Sequence, residues 1–331
     1  MMTLRLSLTL IASGLIIAAC QQDVAPFDPP QSEANAPANE LVQGIEDAPK
    51  PPARLGPLSE LFDCVRERDG MLIASHRAGP APGYPENALE TLAYATEQGI
   101  VIHEIDVVES RDGMLFLLHD RTLGRTTTGD GAVADTDWDV IQTLNLKDNS
   151  GAITDFTPPK LSDVLLWARA NQVIVELDKK PTTSFRNIIS HVRAAGAENN
   201  VVLITYNDAQ AIEVAQLAPD LMMTASIDSG AHQQDLAAAG VDFDNVIAWM
   251  GIRNPNPNAF RAIEGRGIET AFGTLGRPGE RLDDLYWADG DPSEYQDLVD
   301  AGLSLLATDA PYRVAEALTA DDRAIELCLP R

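Results

Sequence analysis

Positive charge is scarce in this chain. Its 331 residues hold 24 Lys and Arg against 50 Asp and Glu, a formal net charge of −26. That argues against a nucleic-acid binder, which needs a basic face to meet phosphates, and against attraction to anionic lipid surfaces. A long apolar run is missing too. The stretch Leu6 to Ala19, which follows Arg5, is too short to be a comfortable membrane span. With its charged start and small residues before Cys20, it predicts an export signal over residues 1–19. Cysteine is scarcer still, at three residues, so each one carries weight.

Cys20 stands directly after Ile17-Ala18-Ala19 and resembles a bacterial lipoprotein box, which implies cleavage before Cys20 and a lipid attached to it. The plainer alternative is an ordinary signal peptide with an incidental cysteine. Gln21 is not the Asp that would suggest inner-membrane retention, so the expected location is the outer membrane, facing the periplasm. From Gln21 to Pro57 the chain is rich in Pro, Ala, Asn, Gln and acids without apolar periodicity, which predicts a disordered tether across 20–57. With Cys20 lipidated, Cys64 and Cys328 remain, one at each end of the domain. In an oxidising compartment they are expected to form a disulfide; the alternative is two buried thiols.

From residue 58 onward, short apolar runs alternate with helix-like segments, the pattern of a parallel α/β fold. Eight strands are expected, at 71–75, 101–106, 173–178, 201–205, 221–226, 245–250, 268–273 and 303–308. Eight strands with intervening helices predict a closed (β/α)8 TIM barrel, for which about 250 residues suffice. The run 107–160 breaks the rhythm with Gly129, Gly131, Gly151, Pro158 and Pro159, and is expected to be a small cap inserted after the second strand.

Chemistry concentrates between His76 and His119. The run Met71 to Ser75 stops at His76, which puts that histidine at a strand's end, followed by Arg77. Ile100 to Val107 reads as the next strand, and side chains two apart share a face, so Glu104 and Asp106 point the same way. Like charges so placed repel unless a cation lies between them, and a hard cation takes oxygen ligands. Asp112-Gly113 is a tight-turn signal that folds Met114 to Leu118 back and returns His119 to the neighbourhood of Asp106. Two histidines, an arginine and paired carboxylates are the equipment for cutting a phosphodiester with a metal ion and an acid/base pair.

These residues resemble the glycerophosphodiester phosphodiesterases, a branch of the phospholipase-C-like phosphodiesterase barrels. The likeness runs from about Leu72 to Arg313 through His76-Arg77, Pro85-Glu86-Asn87, Glu104-x-Asp106, Asp112-Gly113, His119-Asp120, Arg125-Thr126-Thr127 with Gly129, and Thr308-Asp309-x-Pro311. It implies His76 and His119 as the catalytic pair and Arg77 as the phosphate contact. It implies Glu104, Asp106 and a third acid, Glu176, as ligands of one divalent metal, Mg2+ or Ca2+. The expected reaction releases an alcohol and glycerol 3-phosphate from a small-molecule diester. A lysophospholipase D-type reaction and a non-catalytic barrel lipoprotein with a binding role are the alternatives.

The chain departs from the family in three places. His-Arg-Gly becomes His76-Arg77-Ala78-Gly79, the Lys two residues after the third acid is Asp178, and the late Trp-bearing strand reads Thr270-Ala271-Phe272-Gly273. Strand alternation puts Glu176, Asp178 and Lys180 on one face, so Asp178 is either a further ligand or a partner of Lys180 or Arg77. Asp309 falls at a strand end and joins the candidates. His103 is expected to face the helices, and His191 and His232 to be solvated. Asn87-x-x-Glu90 looks like a capping box for the first helix, with Glu86 a weaker candidate near the metal. Arg125 is expected to anchor the cap.

Overall fold

The computed structural model describes residues 55–318 and 328–329. The export signal, Cys20 and the tether up to residue 54 lie outside the described residues. Nine strands follow in order: β1 Leu72–Ser75, β2 Ile102–Glu109, β3 Leu115–Leu117, β4 Ile174–Lys179, β5 Val201–Ile204, β6 Met222–Ser226, β7 Val246–Trp249, β8 Glu269–Gly273 and β9 Leu305–Thr308. Eight of them are parallel, in the order β1-β9-β8-β7-β6-β5-β4-β2, and a β1–β2 pairing closes the ring. The architecture is a (β/α)8 TIM barrel, with the eight expected strands matched to within a few residues at either end.

The register stacks the barrel's interior in layers, because inward residues recur every second position. On β2 the inward series is Ile102, Glu104, Asp106, and on β4 it is Ile174, Glu176, Asp178; the pairs stand side by side across the ladder. The lowest layer is mostly apolar, with the buried Glu269 beside Ile247 accepting a hydrogen bond from Arg66 Nε at 2.8 Å. Ala74, Ile102, Ile174, Val202, Ile247 and Leu305 pack there against the helix Leu58–Glu67, which lies across the barrel floor. That helix buries Leu58, Leu61, Phe62 and Val65, the three-and-four spacing of one helical face. Phe62 and Val65 are fully buried, each contributing about 1.5–3 kcal/mol relative to exposure.

Two boundaries differ from expectation. Leu55, assigned to the tether, is 5% exposed, packs into the floor and accepts a hydrogen bond from Asn199 Nδ2 at 2.9 Å. A single leucine among prolines carries no periodicity to reveal this. The second strand also runs past its expected end at 106, to Glu109, where it opens the insertion as a hairpin by pairing antiparallel with β3 from Val107↔Leu117 to Glu109↔Leu115. Gly113 makes the turn at φ +90, a conformation open to glycine. The cap then has its own small core, in which Val108, Phe116, Leu123, Trp138 and Ile141 meet.

Cys64, on the floor helix, is disulfide-bonded to Cys328, with Cα atoms 5.7 Å apart at a sequence separation of 264.

Candidate active site

The barrel mouth opens where β1 ends. His76 begins a tight turn in which Arg77 (φ 52, ψ 45), Ala78 (φ 71) and Gly79 (φ 77) are all left-handed. Such backbone costs about 1–3 kcal/mol per non-glycine residue, so it persists only where neighbours over-determine it. Here the Arg77 amide donates to Glu104 Oε2 at 2.8 Å, and the Arg77 carbonyl accepts from the Asn87 amide at 3.1 Å. The turn is thereby pinned to the inward face of β2, with His76 Nε2 3.9 Å from Glu104 Oε2.

Each of the two expected histidines is held by an aspartate at the same ring nitrogen. His76 Nδ1 lies 2.6 Å from Asp309 Oδ1, and His119 Nδ1 lies 2.7 Å from Asp120 Oδ1. Burial disfavours charge on His76, but the bond to Asp309 and the charges of Glu104 and Asp309 outweigh it and raise its pKa. Asp309 is in turn held down at about 2: burial pushes it up, while the His76 bond, the Gly276 amide and Arg281 overcome that. A residue with no sequence signal fixes this aspartate. Asp283, 1% exposed, accepts from the Asp309 amide and the Thr308 hydroxyl at 2.8 Å and from the Tyr295 hydroxyl at 2.7 Å.

Deeper in the mouth, Glu104, Asp106 and Asp178 bring one carboxylate oxygen each within 4.8 Å of one another, a group that could hold a metal ion. Lys180 Nζ sits 2.6 Å from Asp106 Oδ1 and also pairs with Asp178. Burial pushes Asp106 up, but Lys180 first, then His119 and Arg77, hold it below the usual range. Glu104 goes the other way, raised by burial and by the Asp106 charge. Asp178 Oδ1 is buried with no hydrogen-bond partner, while its Oδ2 accepts from the Tyr206 hydroxyl at 2.7 Å. Three convergent carboxylates with an orphaned buried oxygen suit a hard divalent cation. Glu176 stands beside Glu104 at the same register but outside this group, and burial pushes its carboxyl up to about 7.

Arg77 and Arg125 converge on Glu86, which is 5% exposed. Glu86 therefore faces two guanidiniums. Arg125 does anchor the cap, as expected, and it also grips Asp120 through Nε at 2.6 Å and Nη2 at 2.9 Å.

Three expectations give way here. Asn87 caps no helix: the helix Leu89–Glu97 has Ala88 at its N-cap with no side-chain bond. Asn87 is instead left-handed (φ 59), and its amide side chain binds Asp106 from both sides, Nδ2 to Oδ2 at 2.6 Å and Oδ1 from the Asp106 amide at 2.9 Å. His191 is buried, not solvated, with Nδ1 3.0 Å from the Asn187 carbonyl, because its helix Phe185–Ala195 turns that side inward. His232 is half-buried against Asp208 at 3.0 Å. His103 does face the helix layer, between the hydroxyls of Ser75 at 2.8 Å and Thr96 at 3.0 Å.

Residues 76–239 match the Glycerophosphoryl diester phosphodiesterase family. A crystal structure of a glycerophosphoryl diester phosphodiesterase from Parabacteroides distasonis superposes with a TM-score of 0.68 at 27% identity, covering 84% of this chain and 94% of that one. An uncharacterized Bacillus subtilis protein, YqiK, is 24% identical over 74% of this chain and 98% of its own length. Human glycerophosphodiester phosphodiesterase 1 is 27% identical over 42% of this chain, a match that spans 40% of the human protein.

Proposed function

We propose that this chain, which carries a glycerophosphoryl diester phosphodiesterase family domain and is an enzyme of that class, hydrolyses small glycerophosphodiesters to an alcohol and glycerol 3-phosphate in a metal-assisted, two-histidine reaction. The observation that carries this is the pair of matched dyads, His76–Asp309 and His119–Asp120, across a mouth lined by three carboxylates. Each aspartate holds Nδ1, which leaves Nε2 of both rings to handle a substrate proton. One ring takes a proton from the attacking oxygen, and the other returns one to the leaving alkoxide. Arg77, in the turn beside His76, meets the phosphate.

Glu104, Asp106 and Asp178 would hold the metal, Mg2+ or Ca2+, whose chemistry is to neutralise phosphate charge. The family resemblance names Glu176 for the third place, but the closer geometry favours Asp178. Lys180, which pairs with both Asp106 and Asp178, would share these carboxylates with the cation. The test is turnover of a glycerophosphodiester panel with and without added Mg2+ or Ca2+. Release of glycerol 3-phosphate that depends on the metal supports the reaction; no release from any diester sinks it.

The proposal includes export and a lipid anchor at Cys20, with the enzyme facing the periplasm. Support comes from the charged start, short apolar core and small residues before Cys20, and from the Cys64–Cys328 bridge, which belongs to an oxidising compartment. Labelled fatty acid should enter the wild-type protein and not Cys20→Ser; equal labelling of both would remove the anchor.

A further inference from the structure

We infer that Arg125 is a positioning residue that sets the anion affinity of Arg77 by sharing Glu86 with it. The inference rests on the proposed contact between Arg77 and the substrate phosphate. Its basis is an asymmetry in how two arginines from different elements use one buried carboxylate. Arg125, from the cap, binds Glu86 with two nitrogens, Nη2 to Oε1 at 2.7 Å and Nη1 to Oε2 at 2.9 Å. Arg77, from the end of β1, reaches both oxygens with Nη1 alone, at 3.2 Å.

The remaining donors differ as well. Arg125 spends Nε and a second bond from Nη2 on Asp120, so two carboxylates consume its fork. Arg77 Nε is buried, makes no hydrogen bond and lies 3.8 Å from Asp106 Oδ2. A planar fork with two parallel short bonds makes the stronger ion pair, so Arg125 takes most of the Glu86 charge. Glu86 then orients Arg77 without neutralising it, and a guanidinium with spare donors is left beside the catalytic turn. Without Arg125, Glu86 has one cationic partner and closes on Arg77, which competes directly with a phosphate for the same fork.

The consequence is an affinity effect that a second substitution reverses. Binding of glycerol 3-phosphate to the full chain, measured by calorimetry in metal-containing buffer, keeps proton-transfer steps out of the readout. Arg125→Gln should weaken binding about tenfold, equivalent to about 1.4 kcal/mol. Adding Glu86→Gln should bring the double variant back to within about threefold of wild type, since the competing carboxylate is gone. Arg125→Lys keeps a charge beside Glu86 without the two-nitrogen fork, so it should weaken binding measurably but less than Arg125→Gln, which serves if the glutamine variant does not fold. Wild-type affinity in Arg125→Gln, a double variant as weak as the single, or weaker binding in Arg125→Lys than in Arg125→Gln would each overturn the inference. Arg77→Gln separates this from the underlying assignment. If Arg77→Gln leaves binding unchanged, the phosphate contact itself is wrong. If it weakens binding while Arg125→Gln does not, only the coupling through Glu86 fails.

Discussion

The floor and the mouth of this barrel are built from the same strands and follow opposite rules. At the floor, Ala74, Ile102 and Ile174 meet an amphipathic helix, and the buried Glu269 there is paired with Arg66 of that helix. Two residues further along β2 and β4 lie Glu104 and Glu176, and two more bring Asp106 and Asp178, all buried. Burial that stabilises the lower layer therefore opposes ionisation in the layers above, as the raised pKa values of Glu104 and Glu176 show. Left-handed non-glycine backbone occurs at both ends, in Arg77, Ala78 and Asn87 at the mouth and in Asp69 and Gln172 in the turns before β1 and β4. The difference teaches that the floor holds the fold in place while the mouth is held against its own preferences by that fold. Changes at the mouth should cost activity and spare the structure, and changes at the floor should do the reverse.

The largest effect expected is from metal removal. EDTA should abolish turnover and excess Mg2+ or Ca2+ should restore it. The cation should also raise the melting temperature, because it relieves repulsion among clustered carboxylates and binds the folded state alone. Asp178→Asn and Glu176→Gln separate the two candidates for the third ligand. Calorimetric metal titration should show lost affinity in the first and retained affinity in the second; the opposite result would return the third place to Glu176. Next come the histidines. His76→Ala and His119→Ala should each lower turnover by about two to four orders of magnitude, the usual contribution of a positioned proton carrier, with thermal melting nearly unchanged. Near-native turnover in either variant would remove that residue from the acid/base pair.

The floor is tested by its disulfide. A bridge with a sequence separation of 264 constrains the unfolded chain by about 5–6 kcal/mol at most on chain-entropy reasoning. Cys64→Ser with Cys328→Ser should lower the denaturant midpoint substantially and leave kcat at low temperature unchanged. A fall in kcat matching the fall in stability would show that floor and mouth are not separable.

How much of this was legible depends on which periodicity carried the signal. Alternating apolar runs marked the eight strands, and the end of one run marked His76. The Asp112-Gly113 turn marked the return of His119, because hairpin chemistry is local. Depth within the barrel was not legible. Glu176 and Asp178 share a face, so alternation alone cannot say which one meets Asp106; the answer lies in the register Asp106↔Asp178, a long-range fact. Asn87 misled for a related reason. Asn-x-x-Glu is a sound capping pattern, but a left-handed backbone turned the amide away from the helix and onto Asp106. Asp283 gave no sign at all, since its role is set by three groups brought together only when the barrel closes.

The smallest expected effect comes from the strand that links both regions. His103, on β2 between floor and mouth, faces outward, is fully buried and has its pKa lowered by burial to about 3, against 6.5 ordinarily. Its two neighbours are hydroxyls, so no charge is present to stabilise an imidazolium. Because the folded pKa lies below the unfolded one, the unfolded state binds the extra proton first. The contribution of the neutral ring is complete above about pH 6.5 and is lost as pH falls toward 3, at up to about 1.4 kcal/mol per pH unit. His103→Gln, which keeps polar groups for Ser75 and Thr96 but cannot titrate, should cost some stability at pH 7.5. It should also flatten the acid side of the stability curve between about pH 6 and pH 4. Urea midpoints measured across that range distinguish the outcomes. Parallel curves for wild type and variant would mean that His103 titrates freely, and that the layer joining floor to mouth is open to water.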